Sequence, residues 1–140
     1  MGEKSTDELL KILKSKKSYA EYLREEPVFY TGSLEEELEK LTEKKGLTKA
    51  EVIERSGLDR TYAYQIFSGR RKPARDKLLA LGFGMRLAIE EMQKLLKVSE
   101  YPVLYAKNKR DSILLFCLDK GVSLIETNEL LYEMGENVIE

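Results

Sequence analysis

The sequence contains no histidine in its 140 residues. That absence excludes imidazole acid/base chemistry, Ser-His and Cys-His nucleophilic pairs, and zinc sites built from Cys and His. Cysteine is scarce too. Cys117, inside the apolar run ILLFCL, stands alone, so no disulfide can form within the chain and a reducing compartment is expected. No stretch approaches the roughly 20 apolar residues of a membrane span. The N-terminus, MGEKSTDELLKILKSKK, is charged throughout and lacks the apolar centre of a signal peptide. A cytoplasmic protein with no membrane partner is expected. Asp111, Glu126, Glu129 and Glu133 lie on ordinary charged helix faces, so neither catalysis, a metal nor a cofactor is expected.

Acidic side chains are also missing from one region. The net charge is −1, yet residues 47–86 carry nine basic side chains (Lys49, Arg55, Arg60, Arg70, Arg71, Lys72, Arg75, Lys77, Arg86) against four acidic ones (Glu51, Glu54, Asp59, Asp76). Residues 87–140 carry six against ten. A focused basic segment in an otherwise neutral or acidic chain suits a polyanionic partner.

The pattern throughout is helical. A Ser or Thr followed three residues later by Glu can satisfy two free backbone donors at a helix start. This signal recurs at Ser5/Glu8, Ser18/Glu21, Ser33/Glu36, Thr48/Glu51 and Ser123/Glu126. Apolar residues at helical spacing follow each one. VFYT at 28–31 is the one short β-like piece and reads as a linker docking its aromatics, and residues 1–32 read as one or two amphipathic helices over the core. The fold class is all-α.

Sliding the chain against itself by 35 residues places Arg75-Asp76 on Arg110-Asp111, Leu79 on Leu114, Gln93 on Asn128 and Leu95-Leu96 on Leu130-Leu131. The repeated unit reads as a helical hairpin, with helices at about 74–84 and 88–98, then 110–120 and 123–134. Residues 75–101 are thus repeated inside 88–140, the C-terminal helical hairpin region. The two copies pack on each other within one chain or across a dimer.

In residues 47–73, LTKAEVIERSGLDRTYAYQIFSGRRKP, a helix over 49–56 meets Gly57, a residue suited to positive φ, and Asp59 then caps a second helix. At 100° per residue, Arg60, Thr61, Tyr64, Gln65 and Ser68 share a face without a single acid, while Tyr62, Ala63, Ile66 and Phe67 share the apolar face. Here the sequence resembles the phage-repressor or XRE-type helix-turn-helix family. The resemblance is carried by Leu47-Thr48, Val52, Gly57-Leu58, Asp59, Ile66, Ser68-Gly69, Arg70 and Pro73. It implies a lambda-repressor-like five-helix domain over about 33–87, flanked by N-terminal helices and the C-terminal hairpins. The whole chain, including GRRKPARDKLLALGFGM and ETNELLYEMGE, looks like bacterial regulators that join such a domain to a helical C-terminal part.

The resemblance implies a sequence-specific, repressor-like transcriptional regulator binding double-stranded DNA as a homodimer, with the C-terminal helices as the dimer surface or a protein partner's surface. The second helix would enter the major groove. Arg60 would read guanine, Gln65 adenine, and Thr61 a base edge or thymine methyl, with Tyr64 on the same face. Thr48, Lys49, Ser68, Arg70, Arg71, Lys72 and Arg75 would contact phosphates, partly through backbone N–H groups near Ser68-Gly69. The chain departs from the family in carrying Lys49 where Gln is usual. It also has Ile53 and Ala63 as a bulky/small pair reversed from the usual order. The competing reading is a protein-interaction adaptor that presents Tyr64, Arg60 and Arg71 to an acidic partner.

Overall fold

The structure, a computed structural model, describes residues 5–24 and 32–140. The linker at 28–31 lies outside the described residues. Among those described, the regular structure is nine α-helices and no strand. Residues 1–31 and 32–140 form two separate compact units.

In the first unit, α1 (Thr6–Ser15) and α2 (Tyr19–Leu23) start at Ser5 and Ser18, whose hydroxyls accept the Glu8 and Glu21 N–H groups. The Tyr19 and Tyr22 rings stack with centroids 6.0 Å apart.

The second unit holds α3 (Leu34–Lys44), α4 (Lys49–Ser56), α5 (Arg60–Phe67), α6 (Arg75–Gly84), α7 (Ile89–Val98), α8 (Lys109–Lys120) and α9 (Leu124–Glu133). Serine or threonine hydroxyls accept from the third helical N–H at the starts of α3, α4 and α9. The reciprocal Glu-to-backbone bond completes the box at Thr48/Glu51. Residues 33–87 contain four helices, α3 to α6, and the fifth, α7, begins only at Ile89. Residue 87 therefore closes no five-helix set, and the compact unit runs on through it to residue 140.

One apolar core serves all seven helices. α4 packs on α6, α3 on α5 and α7, and α9 on both α8 and α6. Leu38, Val52, Ile66, Leu78, Leu79, Leu81, Leu95, Leu96, Leu114 and Leu131 are sealed from solvent. Each contributes about 2 kcal/mol through removal of its apolar surface from water. Ile53 and Ala63 both lie in this core. Contact between α4 and α6 is close enough to require glycine: a Cβ on Gly84 would sit 2.7 Å from the Val52 carbonyl oxygen and 3.2 Å from the Ser56 nitrogen.

The 35-residue offset is written into the hydrogen bonds. Arg75 Nε donates to the Pro102 carbonyl at 3.1 Å, and Arg110 Nε donates to that of Asn137 at 2.9 Å. The Gln93 side chain bonds the Leu104 backbone in both directions, at 2.9 and 2.8 Å, and Asn128 treats Ile139 the same way at 3.1 and 2.8 Å. Arg86 and Glu100 adopt positive φ (55° and 62°), where the second copy has Gly121 and Gly135 (66° and 74°). The copies also clasp each other. Arg75 reaches Asp111 at 3.3 and 3.4 Å, and Arg110 reaches Asp76 at 3.0 and 2.9 Å. Reciprocal contacts of this kind are those of a two-fold-related pair. Here both members belong to one chain, and the pairing extends past the helices into the tails at 102–104 and 137–139.

Candidate nucleic-acid interface

The geometry starts at Thr48. Its hydroxyl accepts the Glu51 N–H at 3.1 Å and donates to the Glu51 carboxylate at 3.0 Å, while that carboxylate also accepts the Thr48 N–H. The Thr48 backbone and hydroxyl bonds, with a smaller contribution from Arg55, hold the Glu51 carboxyl below its usual range. α4 ends at Gly57, whose φ of 68° reverses the chain. Asp59 then caps α5 by accepting the Tyr62 N–H at 3.0 Å. This turn of three residues aims α5 away from α4.

α5 is two-faced. Ala63, Ile66 and Phe67 are buried, whereas Arg60, Thr61, Tyr64 and Ser68 are exposed and Gln65 is half-buried. Arg60 lies over the Tyr64 ring, 5.8 Å from its centroid. Lys49, exposed at the start of α4, lies 5.7 Å from the Phe67 centroid. Beyond α5, Arg70, Arg71 and Lys72 are all exposed. Lys72 sits 5.2 Å from the centroid of Tyr101, whose hydroxyl donates to the Pro73 carbonyl. The basic loop is thereby tied to the segment after α7. Arg60, Thr61, Tyr64, Gln65, Ser68, Arg70, Arg71 and Lys72 all lie on α5 or the five residues that follow it.

Several of the expected contact groups already hold bonds within the chain. Arg75 is not a free cation: its guanidinium bonds Asp111 and the carbonyls of Pro102 and Val103. Its work is to join the two hairpins. The backbone N–H groups of Ser68, Gly69, Arg70 and Arg71 donate to Tyr64, Ile66, Gln65 and Gln65 carbonyls, so they are not offered to a phosphate. The Ser68 hydroxyl likewise donates to the Gln65 carbonyl at 3.1 Å. The Thr48 hydroxyl is held in the cap, and the Gln65 side-chain oxygen is held by Arg71 Nε at 3.0 Å.

Two neighbours escaped the sequence reading. Tyr62, placed there on the apolar face, is only half-buried, and its ring supports Arg71 with Cζ 5.7 Å from the centroid. Its position at the edge of the apolar arc, 60° from Gln65 on the helical wheel, was the available signal. Glu35 on α3 packs against Gly69, where an added Cβ would lie 2.7 Å from its Oε1. The basic loop is free of acids along the chain but not in space.

Among the described residues no group of three or more His, Cys, Asp or Glu side chains could hold a metal ion, and no helix is long and apolar enough to cross a membrane. The comparisons yielded no matching family model, no similar curated protein and no similar solved structure.

Proposed function

We propose that this chain is a sequence-specific double-stranded DNA-binding regulator, repressor-like in design, that lays α5 in the major groove. The supporting observation is the continuity of an acid-free face, the exposed Arg60, Thr61 and Tyr64 with the half-buried Gln65, with the exposed cations Arg70, Arg71 and Lys72 of the loop that follows, the helix being aimed by the Gly57 turn and the Asp59 cap. In this reading α3 to α7 are the five helices of a phage-repressor or XRE-type domain, with α4 and α5 as its helix-turn-helix. Arg60 and Thr61 approach base edges. Lys49, Arg70 and Lys72 neutralise phosphates, so log K falls with log salt with a slope of about −3 per subunit.

A two-fold dimer would set two copies of α5 about one helical turn of DNA apart. The facing sides of the two hairpins are already joined within the chain through Arg75, Asp76, Arg110 and Asp111. The dimer surface we propose is therefore the outer side of α8 and α9, where Phe116, Ile125 and Tyr132 are 54%, 72% and 79% exposed.

Mobility of a duplex selected by the protein tests the reading. The intact protein shifts it, and Arg60→Ala, with an unchanged circular dichroism spectrum and melting curve, does not. An acidic protein captured through Arg60 and Arg71, with no duplex bound, would support the adaptor reading instead.

A further inference from the structure

We propose that Arg71 reads a guanine, with Gln65 and Tyr62 as the residues that position it; this rests on the DNA-binding reading above. Arg71 is fastened to one turn of α5 at three points. Its backbone N–H donates to the Gln65 carbonyl at 3.2 Å, its Nε donates to Gln65 Oε1 at 3.0 Å, and its Cζ lies over the Tyr62 ring, 5.7 Å from the centroid. An arginine fork can pair with a phosphate as well as with a guanine; Arg71 is assigned to a base because the residues that hold it, Gln65 and Tyr62, belong to the proposed recognition helix itself. A base-reading arginine needs its plane fixed, because a guanine offers O6 and N7 as two acceptors at fixed spacing in the plane of the base.

The donors settle which edge is presented. With Nε used by Gln65, the edge that Arg71 can offer to a base is its two terminal nitrogens, Nη1 and Nη2, which match the guanine O6/N7 pair. Gln65 is changed by the same bond. Bidentate reading of adenine requires the amide oxygen to accept from N6 and the amide nitrogen to donate to N7. Gln65 Oε1 already gives one of its two lone pairs to Arg71, and in this proposal Gln65 acts by holding Arg71 on a guanine and not by reading adenine itself. The loop geometry holds Arg71 beside the reading face, since the Arg70 and Arg71 N–H groups share the Gln65 carbonyl as acceptor.

The test is base preference at every position of a duplex selected from a random pool by the full chain, for wild type, Arg71→Lys, Gln65→Ala, the double variant, and Arg70→Lys as control. Arg71→Lys keeps the charge and loses the fork. The expected result is loss of roughly tenfold or more in preference for guanine at one position, little change at the others, and an unchanged salt slope. Gln65→Ala weakens the same position and adds nothing when Arg71→Lys is already present. Arg70→Lys leaves all preferences unchanged. A uniform loss across all sequences with Arg71→Lys, or no loss, overturns the assignment while leaving DNA binding intact. If wild type enriches no sequence at all, the DNA-binding reading itself falls.

Discussion

Both terminal nitrogens of Arg110 bond the Asp76 carboxylate, at 3.0 and 2.9 Å, and the residues one repeat away, Arg75 and Asp111, make the same pair in reverse. Duplicated hairpins joined in this way form an internal pseudo-dimer. Arg75, the first residue of α6, is thereby assigned to architecture.

Arg75→Ala separates the two roles. Asp111, 7% exposed, loses its guanidinium partner, so stability falls by about 2 kcal/mol. Urea denaturation measures this. The salt slope for DNA should stay at its wild-type value, because Arg75 releases no counterion from DNA. In Arg70→Ala, by contrast, the slope becomes shallower by about one and the fold is untouched.

The turns of the two copies differ in residue but not in conformation. Gly121 has φ of 66° with open space around the missing Cβ, so Gly121→Ala costs about 1 kcal/mol through backbone strain alone. Arg86, its counterpart at φ 55°, already bears that strain, and Arg86→Gly is expected to be neutral or slightly stabilising. Thermal melts of the two variants should move in opposite directions or only the first should move. A Tm lowered equally in both would refute the equivalence of the turns.

How much of this was legible in the sequence depends on the range of the interaction. Ser5, Ser18, Ser33, Thr48 and Ser123 mark helix starts correctly, because a capping bond spans only three residues. The N-cap residues of α6 and α7 are Ala74 and Ala88, which offer no side-chain cap, and there the repeat supplies the boundaries. The roles of the cations were not legible. Nothing in GRRKPAR distinguishes Arg71, which Gln65 holds, from Arg75, whose acid partner lies 36 residues away. Likewise the approach of Glu35 to Gly69 joins two elements whose local patterns carry no trace of it.

Glu91 links α3 to α7 and should be visible in the acid limb of stability. Burial would raise its pKa, but bonds from Lys44, Lys45 and the Ala88 N–H outweigh this and hold it at about 2 instead of the usual 4.5. A carboxylate depressed by folding stabilises fully above about pH 4.5 and loses that contribution as pH falls toward 2. The stability difference between wild type and Glu91→Gln should therefore shrink steadily over that range. A constant difference from pH 7 to pH 2.5 would exclude the assignment.

Cys117 takes the place of Gly82 in the first hairpin and is almost fully buried. Burial, opposed in part by the Thr127 hydrogen bond and reinforced by Glu126, pushes its thiol above the ordinary range. At neutral pH a thiol-specific reagent should modify it only on unfolding. Rapid stoichiometric modification of the folded chain would show that the core around α8 and α9 opens.

Selection of bound sequences from a random duplex pool tests the central claim most directly. The account predicts an enriched motif with two-fold symmetry and half-sites about one helical turn apart, lost when Arg60 is replaced by alanine in a folded protein and stripped of one guanine per half-site when Arg71 is. A pool that emerges without enrichment, or with a preference indifferent to every residue of α5 and the loop after it, would contradict it.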